Sequence, residues 1–462
     1  MNTKWVRQEM ATLDLGHATR EARILRMIEQ FAAQPSASIP KACGSCADTK
    51  GAYRALGSEH TSVEAIRQAH ADSTRERAGK QARVLVVQDT TALSFNTRPG
   101  IEGLGPVGQK GTHGLMVHSG LVLTQEGVPL GVVHQQVWAR DEAADKRGSR
   151  RSRRIEEKES FRWLETVDEA ESQLPKQTEV WVVGDREADL FELFAMERRA
   201  GMELVVRATQ DRKLVSAKSL TLYQAVEAAP FLGWVEVSVP RSRKRAARTA
   251  RMEVRACAMT LEPPRNCVGR GELSPVRVHA VWVREVATVP PGQEPIEWLI
   301  LTTLPVRTLA QAVAVVGAYA QRWKVETYHY VLKSGCKVED LQLHTAERIE
   351  RALALYTVVA WRLLYLTYVA RKAPEMPCTA VLEEEEWRLL YAVSSRRGAA
   401  LPQEPPTVRE AVRRLAMLGG FLGRKGDGEP GVQSIWTGFH RLMEFSFAYD
   451  ALRASPHFVG NG

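Results

Sequence analysis

The chain has 462 residues, 44% hydrophobic and 25% charged, the balance of a soluble globular protein with room for two to four domains. Six cysteines at this length fit a reduced compartment better than a disulfide scaffold. A formal net charge of +9 and a pI near 9.3 favour a polyanion as partner.

The opening "MNTKWVRQEMATLDLG" holds no apolar stretch of signal-peptide length, so a cytoplasmic protein is expected. Residues 1–62 read as a helical module, with "TREARILRMIEQFAA" spaced as a packed helix. Cys43 and Cys46 form one C-x-x-C without the second pair or histidines a zinc site requires. From residue 83 the pattern turns to strands: "RVLVVQD", the hairpin-like stretch 113–138, "EVWVVGD" and "MELVVRA". Helices between them predict an α/β sheet domain over 63–372. Within it, residues 215–305 are rich in short β-like runs and read as an all-β insertion. Basic clusters at 146–154 and 241–251 read as solvated loops, or as DNA contacts if a phosphodiester-cleaving site lies nearby.

Helical pattern resumes near 308 and leads into "YAQRWKVETYHYVLKSG", residues 319–335. On one continuous helix at about 100° per residue, Tyr319, Arg322, Glu326 and Lys333 share an arc of about 60°. Ala318, Val325, Tyr328 and Leu332 lie on another face, toward the domain. The polar stripe is therefore expected to face outward or into a cleft. The apolar run 353–370 carries Arg362 at its centre and barely reaches spanning length, which predicts a buried helix and no membrane partner. Residues 373–405, with several prolines and the acidic run Glu383 to Glu386, read as a linker before a helical C-terminal domain.

"VLVVQD" and "VWVVGD" each place an Asp at the end of a buried-strand pattern, so Asp89 and Asp185 are expected side by side. Like charges and desolvation make such a pair costly, and a hard divalent cation, Mg²⁺ or Mn²⁺, offsets the cost. Two such ions serve phosphoryl transfer, and Glu326 in the stripe is the third carboxylate they need. Arg322 and Lys333 would then bind phosphates and Tyr319 a phosphate oxygen.

These residues resemble the DDE cut-and-paste transposases of bacterial insertion sequences, in the Tn-five and IS-four group. The signature Tyr-x2-Arg-x3-Glu-x6-Lys is matched without a gap by Tyr319, Arg322, Glu326 and Lys333. "QDTTALSF", "GDREADL", "GAYRAL", "EWLILTTLPV" and "RLAMLGGF" are also similar to family segments. The resemblance implies an RNase H-like core interrupted by a β insertion, with an end-binding domain at 1–62 and a dimerisation domain at 373–462. It implies Asp89, Asp185 and Glu326 as ligands of two metal ions. It implies DNA contacts by Arg207, by Trp298 beneath a flipped base, and by Arg20, Arg23 and Arg54. The partners it implies are double-stranded DNA and a second copy in a homodimeric end complex, with excision through a DNA hairpin. Another RNase H-like nuclease or resolvase, or a non-catalytic inhibitor of transposition, remains as the alternative reading.

Overall fold

A computed structural model describes residues 4–96, 100–108, 111–141, 153–215, 220–239, 248–265, 268, 270–286, 289, 294–395 and 400–454. Most of the two basic clusters, 146–152 and 241–247, lies outside these residues.

Among the described residues ten strands form one sheet: β1 Arg83–Ser94, β2 Gly105–Pro106, β3 His113–Thr124, β4 Pro129–Trp138, β5 Glu179–Gly184, β6 Met202–Arg207, β7 Phe231–Val239, β8 Arg248–Leu261, β9 Val276–Glu285 and β10 Glu297–Thr302. The order is β2-β3-β1-β5-β6-β10-β9-β8-β7, with β4 on β3. β1, β5 and β6 run parallel, while β3 and β4 are antiparallel to their neighbours. This is the mixed α/β arrangement expected of an RNase H-like core.

The apolar runs are continuous because both faces of the central strands are covered. Val84, Val86, Val180 and Val182 pack with Trp163, Leu164 and Val167 of the helix Arg162–Gln173. Leu85, Val87 and Val183 point to the other face, toward the helix Ala346–Lys372 and the N-terminal helices. That long helix holds the 353–370 run, and it is buried as expected. Arg362 is accommodated in it by donating to the Val381 carbonyl (2.6 Å) and lying over the rings of Trp5 and Tyr365.

Four helices, Lys4–Glu9, Ala18–Ala33, Ile39–Cys43 and Cys46–Leu56, precede a fifth, Val63–Ala78, that leads into β1. They are tied to the core by a buried network. Glu9 accepts from Arg77 through both oxygens and from His70 Nδ1 at 2.6 Å, and His70 Nε2 accepts the Val132 N–H.

Three expectations need correction. The 215–305 region is strand-rich as expected but not all-β, and its strands β7 to β10 continue the core sheet, β10 pairing with β6 and β9. This pairing covers an edge of β6 that would otherwise stay open. The region also contains a short helix, Leu222–Glu227. Second, the acidic run is no linker. Glu383 caps the helix Glu384–Ser394, its N–H donating to Glu386 Oε2, and carboxylates in a first turn are favoured by the exposed N–H groups there. Third, residues 319–335 are not one helix. A helix Leu309–Ala320 ends, the chain turns at Gln321 and Arg322, a second helix Trp323–Tyr330 follows, and the turn 331–335 widens to i→i+5 bonding.

Candidate active site

Asp89 is not at the end of its strand. β1 runs on to Ser94 because β3 continues to pair with it, Asp89 opposite Ser119. What ends near Asp89 is the ladder to β5, whose last pair is Val87 with Val183. Asp185 stands two residues past Val183 as Asp89 stands two past Val87, so the two carboxylates leave the parallel pair at the same level. The turn after β5 is tight: a Cβ on Gly184 would lie 2.4 Å from that of Ala188, so only glycine fits. Asp185 caps this turn, its Oδ1 accepting the Glu187 N–H at 2.8 Å. The cap and the pairing with Asp89 use the same side chain.

Glu326 arrives from the helix Trp323–Tyr330, which is anchored beneath Asp89. Tyr328 and His329 are buried. The Tyr328 hydroxyl accepts from Gln135 Nε2, Thr357 donates to Gln135 Oε1, and His329 Nε2 bonds Ser119 Oγ at 3.2 Å. His329 Nδ1 stands 3.9 Å from Asp89 Oδ2. Burial, and then Lys333, push the His329 imidazole down to about 3, so this ring lends Asp89 no positive charge.

The Asp89 carboxyl is itself pushed up to about 7, first by burial and then by Asp185, with Glu326 adding to the effect. The Thr90 N–H and Arg322 oppose it without prevailing. Arg322 is engaged instead by Glu326, 2.5 Å away. Among the described residues no three His, Cys, Asp or Glu side chains already enclose a metal position. The donor chemistry nevertheless fits a hard divalent cation: two carboxylates, Asp185 and Glu326, raise the half-buried third, Asp89.

The other expected residues take different places. Lys333 donates to the Ala92 carbonyl at 2.8 Å and lies 3.5 Å from Glu339, whose carboxylate accepts the Ser94 N–H, so it is held along β1 beyond Asp89. Tyr319 is not on an outward stripe. It is 4% exposed, and its ring meets that of half-buried Trp298 edge to face at 5.2 Å. The break at Gln321 rotates it inward relative to an uninterrupted helix. Arg207 donates to the Glu297 carbonyl, bridging β6 and β10 one residue from Trp298. In the N-terminal helices Arg20 and Arg54 are exposed, whereas Arg23 joins Arg26 in holding Asp48.

Sequence reasoning passed over Asp189 and Arg212. Asp189 accepts the Thr209 and Gln210 N–H groups and pairs with Arg212 at 2.6 Å, locking the turn after Asp185 to the end of β6. The signal was a second Asp inside "GDREADL".

Three family models match the chain in succession: Transposase DNA-binding at residues 2–61, Transposase DDE domain at 156–362, and Transposase Tn5 dimerisation domain at 358–455. Asp185 and Glu326 fall inside the DDE match, and Asp89 precedes it. The DDE domain implies use of a divalent metal, generally Mg²⁺, and the flanking domains imply a DNA partner and a homodimer. With a helical DNA-binding region, an RNase H-like core and a helical dimerisation region in this order, the chain belongs to the DDE transposases of the Tn5 type.

Proposed function

We propose that the chain binds the ends of its own mobile element, excises it through a DNA hairpin and joins it to target DNA at one carboxylate centre. The observation that carries this reading is Asp89, a half-buried carboxyl raised by burial and by the like charges of Asp185 and Glu326 more than the Thr90 N–H and Arg322 lower it. Asp89, Asp185 and Glu326 would hold Mg²⁺ or Mn²⁺, two ions per site. When bound, these ions supply charge neutralisation to the attacking and leaving oxygens. Each step forms one P–O bond and breaks another, and the departing 3′ oxygen takes up a proton. Water nicks one strand, the freed 3′-OH attacks the opposite strand, water reopens the hairpin, and the same 3′-OH attacks target DNA.

The chain's own groups supply the positioning. Arg322 can exchange Glu326 for a phosphate, and Lys333, tethered along β1, can bind the next one. Trp298, half-buried against Tyr319 and beside Arg207, offers a ring for an unstacked base. Arg20 and Arg54 are available to DNA, and Arg23 less so. The proposed division is 1–62 for end binding, 63–372 for catalysis and 373–462 for dimerisation. On the helix Val432–Ala454, Phe445, Phe447 and Tyr449 are 44%, 68% and 49% exposed, which suits a surface covered by a second copy.

The test is a gel assay on a linear duplex carrying the element's own ends, with Mg²⁺. Nicked and then hairpin ends are expected from the wild type and none from Asp89→Ala; equal cleavage by both would remove the proposal's basis.

A further inference from the structure

Beyond the pair Val87 with Val183 no ladder joins β1 to β5, yet both carboxylates lie past it. The sheet alone therefore does not fix their separation. A single buried side chain spans the gap. Arg162, the first residue of the helix Arg162–Gln173, is 7% exposed, with its guanidinium 5.7 Å from the Trp138 ring and 5.6 Å from that of Trp163. Its Nε donates to Thr90 Oγ1 at 2.9 Å, its Nη2 to Glu187 Oε2 at 2.6 Å and its Nη1 to the Glu159 carbonyl at 2.7 Å. Thr90 follows Asp89 in the chain, and the Glu187 N–H is the one that caps Asp185.

The geometry points to Arg162 as a positioning residue that sets the distance between Asp89 and Asp185 for a divalent metal, through the tie Asp89–Thr90–Arg162–Glu187–Asp185. A guanidinium only donates, so Thr90 accepts from Arg162 and keeps its own hydroxyl hydrogen, which can go to His118 Nδ1, 2.8 Å away. The other ring nitrogen, Nε2, then donates to Gln88 Oε1 at 3.0 Å. Burial, and then Arg162, hold this imidazole well below its ordinary range, so the ring is neutral and has one nitrogen free to accept. His118 thus grips β1 on both sides of Asp89, at Gln88 and at Thr90. Lysine could not replace Arg162, because one ammonium cannot reach three fixed acceptors in a fork.

This inference rests on the carboxylate reading above, and the experiment separates the two. Full-length protein is titrated with Mn²⁺ alone, followed by electron paramagnetic resonance, with melting and metal-free binding to end DNA measured alongside. Asp89→Ala reports on the carboxylate site itself. Thr90→Val and Glu187→Met each cut one arm of the tie, leaving no acceptor for Arg162 at that position, and are conservative enough in size to fold; Arg162→Met cuts both arms, and Arg162→Lys tests rescue. The expected result is a weakening of Mn²⁺ binding by about 3- to 10-fold for each single arm and about 10- to 100-fold for Arg162→Met. Arg162→Lys should fall between, and end binding should be unchanged. If Asp89→Ala weakens Mn²⁺ binding while Thr90→Val and Glu187→Met bind as the wild type does, the tie is overturned and the carboxylate site stands. If Asp89→Ala also binds as the wild type does, both are overturned.

Discussion

Asp185 and Asp189 stand four residues apart in sequence and in different company: Asp185 lies beside Asp89 among like charges, and Asp189 holds a turn. Asp189 is the more deeply buried, 1% exposed, and it is fully partnered by two backbone N–H groups and the Arg212 fork. Asp89 is surrounded by Asp185 and Glu326, with the nearest imidazole neutral and the nearest guanidinium turned to Glu326. A buried charge with complete partners holds a turn. A half-buried charge among like charges is unfinished, and the group that completes it comes from outside the chain in the reading proposed above.

The largest expected effect tests this contrast directly. Asp89→Ala, Asp185→Ala and Glu326→Ala should each lower strand cleavage by about 10³-fold or more, over 4 kcal/mol of barrier, while end binding in gel shifts persists. Asp89→Asn should melt no lower than the wild type without metal, because it removes repulsion and desolvation. Near-normal cleavage by any of the three alanine variants would end the contrast. Asp189→Ala should behave oppositely. It leaves Arg212 buried without its carboxylate, and denaturant unfolding should show a loss of about 3 to 5 kcal/mol. Normal stability with lost cleavage would place Asp189 in the same class as Asp89.

A smaller effect extends the comparison to a buried cation. Lys324 donates to the Gly127 carbonyl at 2.7 Å and lies over the Tyr368 ring, and burial, then Lys372 and Arg371, push its ammonium down to about 7. A base depressed in the folded state takes up its proton later than in the unfolded chain. Stability is therefore highest above the unfolded value of 10.5, falls as pH drops toward about 7, and is level below that. Lys324→Met should remove this slope and raise stability at pH 7 by about 2 to 4 kcal/mol, the lost hydrogen bond offsetting part of the gain. Unfolding measured at pH 7 and pH 10 checks it; equal slopes in the two proteins would show that the lysine stays charged.

How much of this was legible in the sequence depends on whether the signal was local. Runs such as "VLVVQD" and "VWVVGD" announce strands buried on both faces, and the offset of each Asp from its run placed the pair correctly even though β1 continues past Asp89. The wheel that grouped Tyr319 with Glu326 assumed an uninterrupted helix. The turn at Gln321 and the widened turn 331–335 leave Arg322, Glu326 and Lys333 about the site, and Tyr319 beneath Trp298. Joining β10 to β6 was not legible, because a strand's run does not name its partner. Arg162 was invisible for the same reason: an arginine before Trp163 looks like a helix start, and only the fold brings Thr90 and Glu187 to it.

The smallest expected effect sharpens the comparison at the edge of the site, where Trp298 and Tyr319 carry no charge at all. If an unpaired base stacks on Trp298 during hairpin formation, losing the ring removes about 1 to 3 kcal/mol from that step, one to two decades in rate. Initial nicking needs no unstacked base. Trp298→Ala should therefore nick at a near-normal rate and accumulate nicked ends with few hairpins. The contact with Tyr319 makes a control necessary, because removing Trp298 also uncovers a buried ring. Tyr319→Phe keeps the edge-to-face packing and drops only the hydroxyl, so it should preserve hairpin formation if packing is what Tyr319 contributes. A time course on an end-labelled duplex, with melting followed in parallel, separates the cases. Should nicking and hairpin formation fall together in a Trp298→Ala protein that melts normally, Trp298 supports the site as a whole and is no platform for a base.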